Sequence, residues 1–281
     1  MPALEETASL LVKEFDLHPV MGLELEWYVR PQGHAAPYEP AAQERDSYLD
    51  ALCLAADAAG VRVDSFDEEH GPGQFEAALS HSSDLPRLLR QMAVVRELIQ
   101  DTGWRRGYVT DFSPKPYPAL YGNGLHVHVH LENAQGENVF RKNEKTLSPE
   151  LEAAMAGLLA DLPRAMRVFA PHTESWARFE AGWNAPVKAC WGTNNRTTAL
   201  RLPDGTAQIK GADALARLKN PDARRIEHRV AGSDAHAGEV MTAILQGILL
   251  GLRERPALSA PVYGDAGDAQ YEYPLILSLA S

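Results

Sequence analysis

Apolar and polar positions alternate most cleanly between Val20 and Val29, where Leu23, Leu25, Trp27 and Val29 interleave with Glu24, Glu26 and Tyr28. A period of two marks a strand with one buried face, so this segment predicts a strand with two carboxylates on its other face. Gly124 to Leu131 alternates just as strictly and places His126, His128 and His130 together. Shorter runs at Val61–Ser65, Gln74–Leu79, Pro186–Trp191, Thr197–Leu202 and Ile226–Val230 read as further strands. Helical spacing governs Leu4–Phe15, Ala41–Ala59 (closed by Gly60), the stripe Leu85, Leu88, Met92, Val95, Ile99 behind the N-cap Asp84, the stretch from Ser148-Pro149 to Phe169, and Ala237–Leu252. Pro31–Pro40 reads as a loop, and the C-terminal segment as a loop-like tail with several prolines. Strands and helices mix without regular βαβ alternation, which predicts an α+β fold around a largely antiparallel sheet.

The 281 residues are 45% hydrophobic and 23% charged, and nothing in them marks a domain boundary. A formal net charge of −11 argues against a general attraction for nucleic acid or anionic membrane. Cys53 and Cys190, the two cysteines, are too few for a disulfide scaffold and are expected as buried thiols. Met1 to Leu11 lacks the basic and apolar regions of a signal peptide, and Ile244–Leu252 is far too short to span a bilayer, so a cytoplasmic protein is expected.

Chemistry-bearing residues fall on these strands. Glu24 and Glu26 share one strand face, roughly 6–7 Å apart along it, where they repel unless a cation or a proton intervenes. In Asp67-Glu-Glu-His-Gly-Pro-Gly-Gln-Phe-Glu76 a glycine–proline–glycine turn joins one acidic cluster to Glu76, and periodicity leaves open whether Glu68 or Glu69 points inward. A His-x-His-x-His strand suits zinc as well as harder metals, but the other candidate ligands are glutamates, which favour Mg²⁺ or Mn²⁺. Arg201 and Arg229 lie inside apolar strands, and a buried guanidinium needs an anionic partner such as phosphate or carboxylate.

Five segments in order carry a resemblance: Gly22-Leu-Glu-Leu-Glu26, Glu69-His-Gly-Pro-Gly-Gln-Phe-Glu76, Lys115-Pro116 with Gly124-Leu-His-Val-His128, Asn195-Arg196 with Leu200-Arg201-Leu-Pro203, and Arg225-Ile-Glu-His-Arg229. Together they resemble the catalytic domain of glutamine synthetase from about Val20 to Leu252. The resemblance implies a curved, mostly antiparallel sheet forming an open funnel flanked by helices, a single catalytic domain over residues 1–281, and no small N-terminal sheet domain. It implies ATP at one end, an amino acid at the other, and two or three Mg²⁺ or Mn²⁺ ions between. By motif, Glu26, Glu69 and Glu76 would hold one ion, and Glu24, His126 and Glu227 another. Arg178, Arg229, Gly122 and Asn184 would meet the acid and amine. Arg196, Arg201 and Arg225 would meet the phosphates, and His128 and Lys115 the nucleotide.

The sequence departs from the family in ways that bear on the substrate. The flap glutamate that receives a proton from ammonium in the family aligns with Asn184, which is no base. The Asn-Gly-Ser-Gly before the first histidine is shortened to Gly122-Asn-Gly124, and a serine becomes His130. The expected activity is therefore ligation of an acid, through an acyl phosphate, to an amine other than ammonia, with a homo-oligomer compatible with it. Two rivals stand beside it: a catalytically inactive metal- and nucleotide-binding homologue with a regulatory role, and a zinc hydrolase built on the three histidines.

Overall fold

A computed structural model of the chain describes residues 2–141, 147–203 and 224–280. Its helices are α1 (Pro2–Phe15), α2 (Ala42–Ala58), α3 (Leu85–Arg105), α4 (Pro149–Phe169) and α5 (Ala237–Glu254), with 3-10 turns at Thr173–Arg178 and Ile276–Ala280. Its strands are β1 (His18–Pro31), β2 (Val63–Glu68), β3 (Gln74–Ser82), β4 (Tyr108–Asp111), β5 (Leu125–Glu132), β6 (Lys188–Thr193), β7 (Thr198–Leu202) and β8 (Ile226–His228). Among the described residues all eight strands join one open sheet in the order β2-β3-β1-β5-β8-β7-β6, with β4 pairing the far end of β1.

Alternation along β1 sets the architecture. Met21, Leu23, Leu25, Trp27 and Val29 are at most 1% exposed and enter the main core, with Phe75, Ala77 and Leu79 of β3 and Val127, Val129 and Leu131 of β5. Helices cover that face. α1 packs on α5 and β1, α3 on β1 and β3, and α4 on α5. The α4–α5 crossing is so close that a Cβ on Gly157 would overlap the backbone of Gly251. Caps anticipated from sequence are present: the Asp84 carboxylate accepts from Arg87 N at 3.0 Å, and the Ser148 hydroxyl from Leu151 N at 3.1 Å.

Several expectations need correction. β4 was not foreseen; four residues between a helix and a loop carry too little periodicity to register. The sheet is largely antiparallel as expected, with β6 and β7 its one parallel pair among the described strands. Cys53 is exposed and only Cys190 is buried. The buried positions of α2 are Tyr48, Leu52 and Ala56, and Cys53 falls off that stripe. The tail is not wholly irregular, because its last turn buries Ile276.

Candidate active site

Strand register brings the distant motifs side by side. Opposite residues of antiparallel strands share a face, and on the face away from the helices Glu26 stands opposite Glu76, Glu24 opposite His126, His128 opposite Glu227, and Glu227 opposite Arg201. Five strands thus contribute to one row. Glu69 joins from the β2–β3 turn, which closes through Glu69 N to Gln74 O at 2.8 Å and Gln74 N to Gly71 O at 2.9 Å. Gly73 takes φ +71° there, and a Cβ would fall on the Tyr38 carbonyl. The choice left open by periodicity is settled: Glu69 faces the row, while Glu68 faces outward and pairs with Arg45 at 2.9 Å.

Ligand-type atoms of Glu26, Glu69 and Glu76 lie within 4.8 Å of one another, as do those of Glu24, Glu76 and His126, and of Glu24, His128 and Glu227. The first group is the first expected ligand set. Of the second expected set, His126 Nδ1 lies 3.5 Å from Glu24 and 3.9 Å from Glu227, and also 3.7 Å from Glu26. The groups around Glu24 add His128 and Glu76 to it.

The charge pattern fits a cation in this row. Burial, then the charges of Glu24, Glu26, Glu69 and Glu227, push the Glu76 carboxyl well above its usual range. Burial also raises Glu26. His126 Nδ1 is buried without a hydrogen-bond partner although three carboxylates surround it. A divalent ion roughly 2 Å from such donors satisfies both the orphaned nitrogen and the crowded oxygens.

The guanidiniums flank the row. Glu227 is 1% exposed; burial alone would raise its carboxyl, but Arg229, His128 and Arg201 hold it down to about 2. Arg201 Nη1 donates to it at 2.5 Å, and Arg229 Nη1 donates to its other oxygen. Arg225 Nε donates to His128 Nδ1 at 2.8 Å, and His128 Nε2 meets Glu24 at 2.6 Å. Arg178 is 3% exposed, and burial lowers its guanidinium to about 10. Its Nη1 donates to Val230 O at 2.9 Å, and its Nε has no partner.

At one end of the row opens a cleft lined by Glu26, Glu69, His126, Gly122, the guanidiniums of Arg178, Arg196 and Arg229, and Asn184. Asn184 takes a left-handed φ of 54°, and its carbonyl accepts from Arg229 Nη2 at 3.2 Å. His70, Gln74, Tyr121 and Trp183 line the same cleft and were missed from sequence. His70, Gln74 and Trp183 lie within or beside the quoted motifs, but aromatic and amide side chains there are indistinguishable from packing residues until the fold is known. Gln74 ties the turn to the cleft floor, donating to Gly122 O and Asn123 Oδ1, both at 3.0 Å.

Lys115, expected with His128 at the nucleotide, does not line the cleft but stands beside it: its Nζ is 4.9 Å from the Trp183 ring centre and 3.7 Å from Glu180. The reason is local, since Asn123 N binds Pro114 O at 2.9 Å and ties the lysine's loop to the Gly122 side. The three strand histidines do not converge as zinc ligands either. His126 faces Glu24, Glu26 and Glu227, His128 bridges Glu24 and Arg225, and His130 meets Glu132 at 3.1 Å.

The chain belongs to the glutamine synthetase catalytic-domain family, whose model matches residues 4–279. Among its relatives, the γ-glutamylputrescine synthetase PuuA of Escherichia coli is 31% identical over 275 residues, covering 90% of this chain and 55% of that protein. The γ-glutamylethanolamide synthetase GlnA4 of Streptomyces coelicolor is 29% identical over 215 residues, covering 76% of this chain and 43% of that protein. The chain thus spans about half the length of the curated relatives it matches. A solved structure described as a GmaS/ADP complex superposes with a TM-score of 0.80 at 23% identity, covering 99% of this chain and 66% of that one, which establishes the shared fold.

Proposed function

We propose that this protein is an ATP-dependent carboxylate–amine ligase that joins glutamate, or a close analogue, to an amine other than ammonia. The carrying observation is the pairing of a complete row of acidic ligands, centred on the orphaned His126 Nδ1, with a neutral amide, Asn184, at the cleft end of that row. Relatives named for γ-glutamylputrescine and γ-glutamylethanolamide synthesis support a nucleophile other than ammonia, without fixing which amine.

In this reading Glu26, Glu69 and Glu76 hold one Mg²⁺ or Mn²⁺, and Glu24, His126 and Glu227, with His128 at hand, hold another. Such ions, when bound, screen the charge of the transferring phosphoryl group. Arg196, Arg201 and Arg225 supply further positive charge on the phosphate side, and His128 lies beside the nucleotide. Arg178 and Arg229, with the backbone at Gly122, hold the acid. Its carboxylate oxygen bonds to the γ-phosphorus and ADP departs. The amine nitrogen then bonds to the acyl carbon, phosphate leaves with the C–O electron pair, and the amine proton passes to solvent. The protein's part is to position and to stabilise charge. Asn184 accepts no proton, so the nucleophile must reach the acyl phosphate as a neutral amine. We place this chemistry in the cytoplasm, where ATP is available, and regard a homo-oligomer as compatible with it.

Asn184 also supports a second reading, a homologue that binds metal and nucleotide without turnover. Release of ADP and phosphate with glutamate and a panel of amines separates the two. Amine-dependent turnover is expected, and its absence with every acid and amine tried would leave the binding-only reading.

A further inference from the structure

The cleft has a wall that ammonia would not use. The rings of His70 and Tyr121 lie 5.1 Å apart, and those of Tyr121 and Trp183 meet edge to face at 5.4 Å. All three line the cleft that also contains Asn184 and the ligands Glu26, Glu69 and His126. A run of aromatic surface at the amine end offers apolar contact or cation–π contact to a substituent on the nucleophile.

The charges around it choose between these. Trp183 already has a cation beside it: the Lys115 ammonium, whose side chain is 3% exposed. The nearest acid to that ammonium, Glu180, is 3.7 Å away and 55% exposed, so water screens much of what it could give a second cation. Among the described residues the carboxylates lining the cleft are Glu26 and Glu69, and both belong to the metal-ligand cluster. A second ammonium on the substrate would feel the like charge of Lys115, which stands 4.9 Å from the Trp183 ring centre without lining the cleft, and would find no carboxylate of its own.

We infer that the amine this enzyme takes is a primary monoamine carrying an apolar substituent, which packs on Tyr121 and Trp183, and that Lys115 excludes diamines. The inference rests on the ligase reading above and narrows it.

The test is kcat/KM from phosphate release with ATP, glutamate and Mg²⁺ or Mn²⁺ for butylamine, diaminobutane and hydroxylamine, the last a nucleophile with no substituent to bind. Butylamine is expected to exceed diaminobutane by about tenfold, the scale of one like-charge contact in a partly hydrated site. Trp183→Ala should lower the butylamine-to-hydroxylamine ratio by about tenfold, with Trp183→Phe restoring it. Lys115→Met should raise diaminobutane relative to butylamine. Diaminobutane equal to or better than butylamine in the unmodified protein overturns the inference even if every variant misfolds. In that case, turnover of hydroxylamine or diaminobutane leaves the ligase reading standing. No turnover with any nucleophile removes both.

Discussion

Glu227 shows how tightly charge is balanced within the row. It accepts from two arginines, Arg201 and Arg229, and stands opposite His128, all of them at most 8% exposed. Removing one member of a buried charge network leaves the others uncompensated, at a cost of about 3–5 kcal/mol. Glu227→Gln is therefore expected to lower unfolding free energy by about 3 kcal/mol in urea melts without metal. A change below about 0.5 kcal/mol, the scatter of ordinary surface substitutions, would mean the network carries little. His126 gives the opposite signature, because its Nδ1 makes no hydrogen bond that the substitution would break. Metal present at a hundredfold excess over Kd stabilises a folded protein by about 2.7 kcal/mol. Mn²⁺ titrated into the protein during thermal melts should raise the midpoint, and His126→Ala should lose most of that rise. A rise of equal size in the variant would show that the ion binds elsewhere.

At the level of elements, the site is a product of register and of one turn. Glu24 and Glu26, and His126 and His128, were legible as strand faces because each pair lies on a strand whose alternation is plain in the sequence; the resemblance joined Glu24, Glu26 and His126 with Glu76 and Glu227 into ligand sets. Glu69 was not legible in this way, since a turn residue has no periodicity; the resemblance chose it, and the fold bears out its inward direction. Cleft residues such as Tyr121 and Trp183 were illegible because their role depends on which loops meet, and no local pattern encodes that. Gly73 makes the Glu69 turn possible. Gly73→Val must leave φ +71° or displace Tyr38, and either shifts Glu69 away from Glu26 and Glu76. Metal affinity measured by calorimetry should fall about tenfold or more, the scale of one disturbed ligand or its support. Unchanged affinity would mean that Glu69 is not a ligand.

Over the whole molecule, the C-terminal segment ties the sheet edge to the loop that carries Arg196. The segment runs beside β6: Val262 N donates to Trp191 O at 2.9 Å, Ala189 N to Pro274 O at 2.9 Å, and Ile276 N to Val187 O at 3.0 Å. Covering an edge strand in this way satisfies its outer backbone groups. The same segment grips the loop that carries Arg196. Asn195 Nδ2 donates to Gly264 O at 2.8 Å, and Thr197 Oγ1 accepts from Ala266 N at 2.9 Å. Lys188 fastens it, with a 6%-exposed side chain whose Nζ donates to Asp268 O at 2.8 Å and Tyr271 O at 2.7 Å. From sequence this stretch read as a loop-like tail with several prolines, because its order comes from side-chain partners 69 to 83 residues away rather than from any periodicity of its own. Lys188→Met keeps the apolar stem against the small cluster of Val187, Cys190, Val262 and Ala266 but removes both carbonyl contacts. Loosening the segment frees the Arg196 loop, and with it the Arg196 carbonyl that accepts from Arg229 Nε at 3.2 Å. Limited proteolysis within 255–275 should quicken, and the KM for ATP should rise several-fold, with a smaller rise for glutamate through Arg229. Faster proteolysis with an unaltered KM for ATP would show that the segment only shields the sheet edge and does not hold Arg196 in place.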